Sequence, residues 1–142
     1  MKGLFEVSSV EETWELAKKL AAELAPGEVV CLEGDLGAGK TTFTQGLAAA
    51  MGVPGRVTSP TFCIVQEHAG ERLLVHMDLY RLHGESDVEA IGWEDYLAQG
   101  AVLAVEWPER AGSQAFYTWS AYRVQARQAS VSYREDMRTG SV

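Results

Sequence analysis

Asparagine does not occur once in the 142 residues, which excludes the Asn-Lys-x-Asp motif by which guanine is read. Positive charge is scarce: 12 Lys and Arg stand against 20 Asp and Glu, for a formal net charge of −8. That balance argues against the chain gripping nucleic acid by itself, because contacts to a phosphate backbone require a basic patch, so any link to RNA has to run through partners. Cysteine is limited to Cys31 and Cys63, which fall far apart in apolar, strand-like segments and form no metal-ligand spacing; they read as two buried reduced thiols. No stretch approaches the roughly 20 consecutive apolar residues of a membrane span. The opening Met-Lys-Gly-Leu-Phe-Glu lacks an apolar signal region, and a cytoplasmic protein with no membrane partner is expected. Internal repeats and low-complexity segments are absent. What remains is a composition of 46% apolar and 23% charged residues, suited to a single globular domain over residues 1–142.

Against that background one octet stands out. Gly34 to Thr41 reads Gly-Asp-Leu-Gly-Ala-Gly-Lys-Thr and fits the phosphate-binding pattern G-x-x-x-x-G-K-[ST] without a mismatch. The spacing serves a nest of backbone N–H groups directed at an anion, followed at once by the positive end of a helix dipole. Side chains would obstruct that approach, so Gly34, Gly37 and Gly39 fall where the chain must turn sharply or lie against phosphate oxygens. Lys40 can reach the β- and γ-phosphates of a nucleotide, and the Thr41 hydroxyl can ligate Mg²⁺. The nucleotide-contacting stretch is Leu36, Gly37, Ala38, Gly39, Lys40, Thr41 and Thr42. Its context agrees: Val29-Val30-Cys31-Leu32 suits a buried parallel strand, and Phe43, Leu47, Ala48 and Met51 recur at helical spacing until Gly52 and Pro54.

Elsewhere, Ser9-Val10-Glu11-Glu12 offers a capping box, and Val10, Trp14, Ala17, Leu20, Ala21 and Leu24 mark one helical face ending at Pro26-Gly27. Thr61 to Glu67, a turn at Ala69-Gly70-Glu71, and Leu73 to Asp78 read as a hairpin. Ser86 to Glu89 opens a short helix broken by Gly92, with another turn over Glu94 to Leu97; Ala101 to Glu106 is an apolar strand. Tyr122 to Arg134 alternates enough for one or two strands, and Arg138 to Val142 reads as a loose tail. The sum predicts a three-layer α/β fold with a mixed central β-sheet, the phosphate loop lying at the carboxyl edge of its strands.

A nucleotide triphosphatase also needs acids at strand ends near the loop. Leu73-Leu74-Val75-His76-Met77-Asp78 ends in Asp78, and Ala101-Val102-Leu103-Ala104-Val105-Glu106 ends in Glu106. The second run is apolar on both faces and suits a central strand beside the phosphate-loop strand, so Glu106 is assigned to Mg²⁺ and Asp78 to the attacking water. His76 shares a strand face with Asp78 and reads as a hydrogen-bonded, half-buried histidine before it reads as catalytic. Trp107 is weighed between core packing and contact with a ligand or partner. Ser59-Pro60-Thr61-Phe62 falls where nucleotide switches place a loop that meets the γ-phosphate; a plain turn is the competing reading.

The octet with Thr42, Ser-Pro-Thr-Phe at 59–62, His-Met-Asp-Leu-Tyr-Arg-Leu at 76–82 and Val-Glu-Trp-Pro-Glu at 105–109 together resemble the bacterial TsaE family, over about Phe5 to Arg110. The resemblance implies a P-loop NTPase-like fold and a small ATPase of tRNA N6-threonylcarbamoyladenosine synthesis. It implies ATP and Mg²⁺ at the loop, with Lys40 on the phosphates, Thr41 and Glu106 serving the metal and Asp78 assisting hydrolysis. It implies docking onto a heterodimer of TsaB-like and TsaD-like proteins, which ATP hydrolysis resets between rounds, the isolated ATPase being weak and tRNA being met only through the complex. Residues 113–142 depart from the family pattern. Arg127 either matches the family's nucleotide-proximal arginine or is a surface arginine, since Ala126 stands where a glycine is usual.

Two other classes use the same loop. A small-molecule kinase needs an acceptor pocket and usually an arginine-bearing lid; Arg81 and Arg110 are plausibly placed, but no long Arg-rich insertion separates the motifs. A nucleotide-sensing adaptor without catalysis would have no use for Asp78 as a water-orienting acid.

Overall fold

The computed structural model describes residues 3–4, 9–33, 39–55, 57, 65–82, 90–111, 121–125 and 130–133. Helix α1 (Val10–Glu23) starts where Ser9, in extended geometry, accepts a hydrogen bond from the Glu12 N–H at 3.1 Å. That bond satisfies one of the helix's otherwise unpaired donors and is the expected cap. At the other end the last turn has no basic residue. Arg72 supplies the charge from elsewhere, its guanidinium donating to Ala21 O at 3.2 Å and Leu24 O at 2.8 Å.

Strand β2 (Val29–Glu33) precedes helix α2 (Lys40–Ala50), and strands β3 (Val65–Ala69) and β4 (Leu73–Asp78) form the expected antiparallel hairpin. Gly92, at φ 81°, adopts the left-handed conformation from which helix α3 (Trp93–Ala98) starts. Strand β5 (Val102–Glu106) runs into a short 3-10 turn at Pro108–Ala111; β6 (Ala121–Gln125) and β7 (Ser130–Tyr133) follow. The tail region thus contributes both strands that its alternation allowed. The two-residue strand β1 (Gly3–Leu4) was not anticipated; it exists by pairing Gly3 with Val131 and Leu4 with Ser130.

The sheet has seven strands in the order β1-β7-β6-β2-β5-β4-β3. Its middle, β6-β2-β5-β4, is parallel, and the pairs at both edges are antiparallel. The result is the predicted α/β fold with a mixed sheet, and β5 lies directly beside β2 as its doubly apolar sequence required. Successive residues of β2, β4 and β5 go to opposite cores. Val30, Leu32, Leu74, Val102, Ala104 and Val124 pack with α1 and α2 residues such as Leu20 and Leu47. Val29, Cys31, Val75, Met77, Leu103 and Val105 pack on the other face with Trp93 and Ala111. Each fully buried Leu or Val contributes about 1.5–3 kcal/mol, which makes these two layers the main source of stability. Cys31 is buried as expected, whereas Cys63 lies outside the described residues.

Candidate functional site

The carboxyl ends of β4 and β5 and the amino end of α2 converge. Register pairs Asp78 with Glu106, so the two strand-end acids are neighbours across the parallel β4–β5 ladder. A hydrogen bond from Leu79 N to Glu106 O at 3.1 Å carries the pairing one residue past the end of β4. The even-numbered residues of these strands face α1 and α2, which directs His76, Asp78 and Glu106 to the side where Lys40 opens its helix.

Lys40 is 5% exposed and Glu106 is also 5% exposed. The Lys40 ammonium lies 3.7 Å from Glu106 Oε1 and 4.6 Å from the centre of the Trp107 ring. An ion pair this far from water is retained only when further contacts offset desolvation, and the indole face supplies one by cation–π attraction. The other carboxylate oxygen, Glu106 Oε2, is 2.6 Å from His76 Nε2. His76 was expected to be half-buried; it is completely buried, because both neighbouring strands and the helical layer cover it. Asp78 keeps one oxygen on the Tyr80 N–H at 3.0 Å, which fixes the turn that leaves β4.

Helix α2 begins in a way that suits an anion. Its N-cap is Gly39 at φ 94°, which has no side chain to act as a cap, and its first turn contains no acid. The first-turn N–H groups and the positive end of the dipole are thus not taken up by the N-cap residue or by a first-turn acid, which suits an anionic acceptor beside Lys40. Thr41 and Thr42 stand half-buried in that same turn. The donor set of lysine, open helix start, threonine hydroxyl and two strand-end carboxylates fits a polyphosphate with a hard divalent cation. Leu36, Gly37, Ala38 and Arg127 lie outside the described residues, as does the Ser59 to Phe62 segment. A bond from Gln45 Nε2 to Val57 O at 2.8 Å ties α2 to the chain just before that segment.

Sequence reasoning missed two supports of the site. Trp107 takes φ 58°, a left-handed conformation rare for a bulky residue. It packs against the α3-side core, as the core reading held, and its ring also meets the Lys40 ammonium of the same chain. Its ring also lies 4.9 Å from that of Tyr80, over which the Arg110 guanidinium sits at 5.4 Å. The only hint in the sequence was an aromatic residue directly after a strand-end acid. The second support is Arg123 of β6, whose Nε donates to Glu33 Oε1 at 2.6 Å and so braces the last residue of β2. Nothing in the sequence signals that pair, since it depends on the β2–β6 register.

His68 on β3 completes the polar side of the hairpin. Burial, and secondarily the neighbouring His76 imidazole, holds its own imidazole below the ordinary value of 6.5. Among the described residues no helix is long and apolar enough to cross a membrane.

The family model of the threonylcarbamoyl adenosine biosynthesis protein TsaE matches residues 7–137. The chain is 50% identical over 98 residues to the tRNA threonylcarbamoyladenosine biosynthesis protein TsaE of Bacillus subtilis, a match covering 68% of this chain and 61% of that protein. The like-named protein of Aquifex aeolicus is 44% identical over 107 residues, covering 73% of this chain and 75% of its own. The crystal structure of Bacillus subtilis YdiB superposes with a TM-score of 0.69 at 31% identity, covering 99% of this chain and 93% of that one.

Proposed function

The chain belongs to the TsaE family, and on that footing we propose that it is a P-loop ATPase acting in tRNA threonylcarbamoyladenosine modification. In this reading it docks onto a heterodimer of TsaB-like and TsaD-like proteins in the cytoplasm and hydrolyses ATP to reset that complex. One observation carries the catalytic part: the Lys40 ammonium, at an uncapped helix start, lies 3.7 Å from Glu106 Oε1, with Asp78 paired to Glu106 in register. The names of its relatives carry the pathway.

Lys40 and the amides of residues 36–42 hold the phosphates of ATP, Lys40 leaving Glu106 and the Trp107 face to do so. Thr41 and Glu106 hold Mg²⁺, which when bound neutralises charge on the β- and γ-phosphates. Asp78, with one oxygen already engaged by the Tyr80 amide, has its other oxygen to orient a water toward the γ-phosphate. Arg127, which lies outside the described residues, would add a positive charge at the nucleotide if it matches the family's arginine and would be a surface arginine otherwise. The scarcity of basic residues supports indirect action on tRNA, through the heterodimer.

An ATPase assay with and without the two partners tests this directly. Stimulated hydrolysis is expected on mixing, and Asp78→Ala should bind ATP and its partners yet fail to turn over. Activity unchanged by the partners would remove the pathway assignment, and phosphorylation of a small acceptor in place of hydrolysis would favour a kinase.

A further inference from the structure

His76 is an expensive residue at its position. It has no exposed surface, and its Nδ1 is buried without a hydrogen-bond partner among the described residues. A leucine or methionine, such as Leu74 and Met77 on the same strand, would fill the space with no unsatisfied polar atom. Packing therefore does not account for an imidazole here. What accounts for it is the 2.6 Å contact between its Nε2 and Glu106 Oε2. A carboxylate only accepts hydrogen bonds, so Nε2 carries a proton and donates to Glu106 Oε2.

The contact runs diagonally across the ladder, because Ala104 stands opposite His76 while Glu106 stands opposite Asp78. It fixes one oxygen of a side chain that has several rotatable bonds, and the fixed oxygen is the one turned away from Lys40. Oε1 is left facing the ammonium at 3.7 Å. We propose that His76 is a positioning residue: by holding Glu106 Oε2 it presents Glu106 Oε1 to the metal side of the nucleotide site, and so sets the affinity for Mg²⁺ without touching metal or nucleotide. This rests on the reading of Glu106 as the metal-serving acid. Partners of this kind typically change metal affinity by about 10–100-fold when removed.

The test is calorimetric binding of a non-hydrolysable ATP analogue to the full chain across a Mg²⁺ series, with a chelator baseline. His76→Leu should raise the Mg²⁺ concentration at half effect by about tenfold while leaving the chelator baseline unchanged. His76→Gln, whose amide N–H reaches a comparable distance, should restore most of the loss. In a Glu106→Ala background His76→Leu should add nothing. A folded His76→Leu protein with the wild-type Mg²⁺ midpoint overturns the inference while leaving the nucleotide site standing, as does an equal shift in the Glu106→Ala background. If the wild-type chain binds the analogue without regard to Mg²⁺, the metal reading of Glu106 fails and the inference with it. Should His76→Leu not fold, ¹⁵N spectra of the wild-type imidazole decide: its Nε2–H signal should move when Mg²⁺ is added to the analogue-bound protein. A signal indifferent to the metal refutes the positioning role.

Discussion

Glu106 divides its two oxygens between an ammonium and an imidazole, and the consequences of losing each neighbour differ. In the proposed site Lys40→Ala removes a charged contact to phosphate worth about 1.5–3 kcal/mol, and calorimetry should find ATP bound about tenfold or more weakly. Glu106→Ala should keep nucleotide affinity and lose Mg²⁺-dependent hydrolysis; normal turnover in that variant would move the metal role to Asp78. His68 gives a prediction of a different kind. Its folded pKa is depressed, chiefly by burial, so below the ordinary value of 6.5 the unfolded chain takes up a proton that the folded chain resists. Stability from this group is present above that value and is lost as pH falls toward the folded pKa. His68→Gln should flatten the fall in Tm between neutral pH and about pH 5; an unchanged acid limb would show that the imidazole is indifferent to folding. Lys40, Thr41, Asp78 and Glu106 were legible as residues because a motif and two strand ends mark them. The His76–Glu106 diagonal, the Trp107 platform and the Arg123–Glu33 brace were not, because each depends on register or on a left-handed backbone that no local pattern encodes.

Helices α1 and α2 form one layer, and they approach each other closely at Gly46. A Cβ there would stand 2.8 Å from Ala17 Cβ and 3.1 Å from Trp14 Cα, the latter being backbone that cannot step aside. Gly46→Ala should therefore cost about 1–3 kcal/mol and lower Tm by several degrees, despite the better helix propensity of alanine. A Tm at or above wild type would mean that the two helices can separate without penalty. Their existence was plain from periodicity and from the Ser9 cap, and the hairpin from its turn residues. The strand that escaped notice, β1, has two residues and no period to detect; only the distant β7 makes it a strand. Helix α3 shows the intermediate case: Gly92 was recognised as a break, and its left-handed geometry also serves as the start of the next helix.

At the scale of the whole molecule, the charge of −8 bears on the proposed indirect role toward tRNA. Filter binding at physiological salt should detect no tRNA retention by the chain alone, and retention should appear only when the TsaB-like and TsaD-like partners are added. Tight, salt-sensitive tRNA binding by the isolated protein would contradict the indirect role. The sheet imposes a further condition, on synthesis. Strand β2, which leads to the phosphate loop, is bordered on one side by β5 and on the other by β6, both translated after it. A nascent chain on the ribosome therefore exposes Val29 to Leu32 with both hydrogen-bonding edges open until residue 106 has emerged, and with the β6 edge open until residue 125. The segment that leads to the proposed nucleotide site is thus one that needs shielding before the protein is finished.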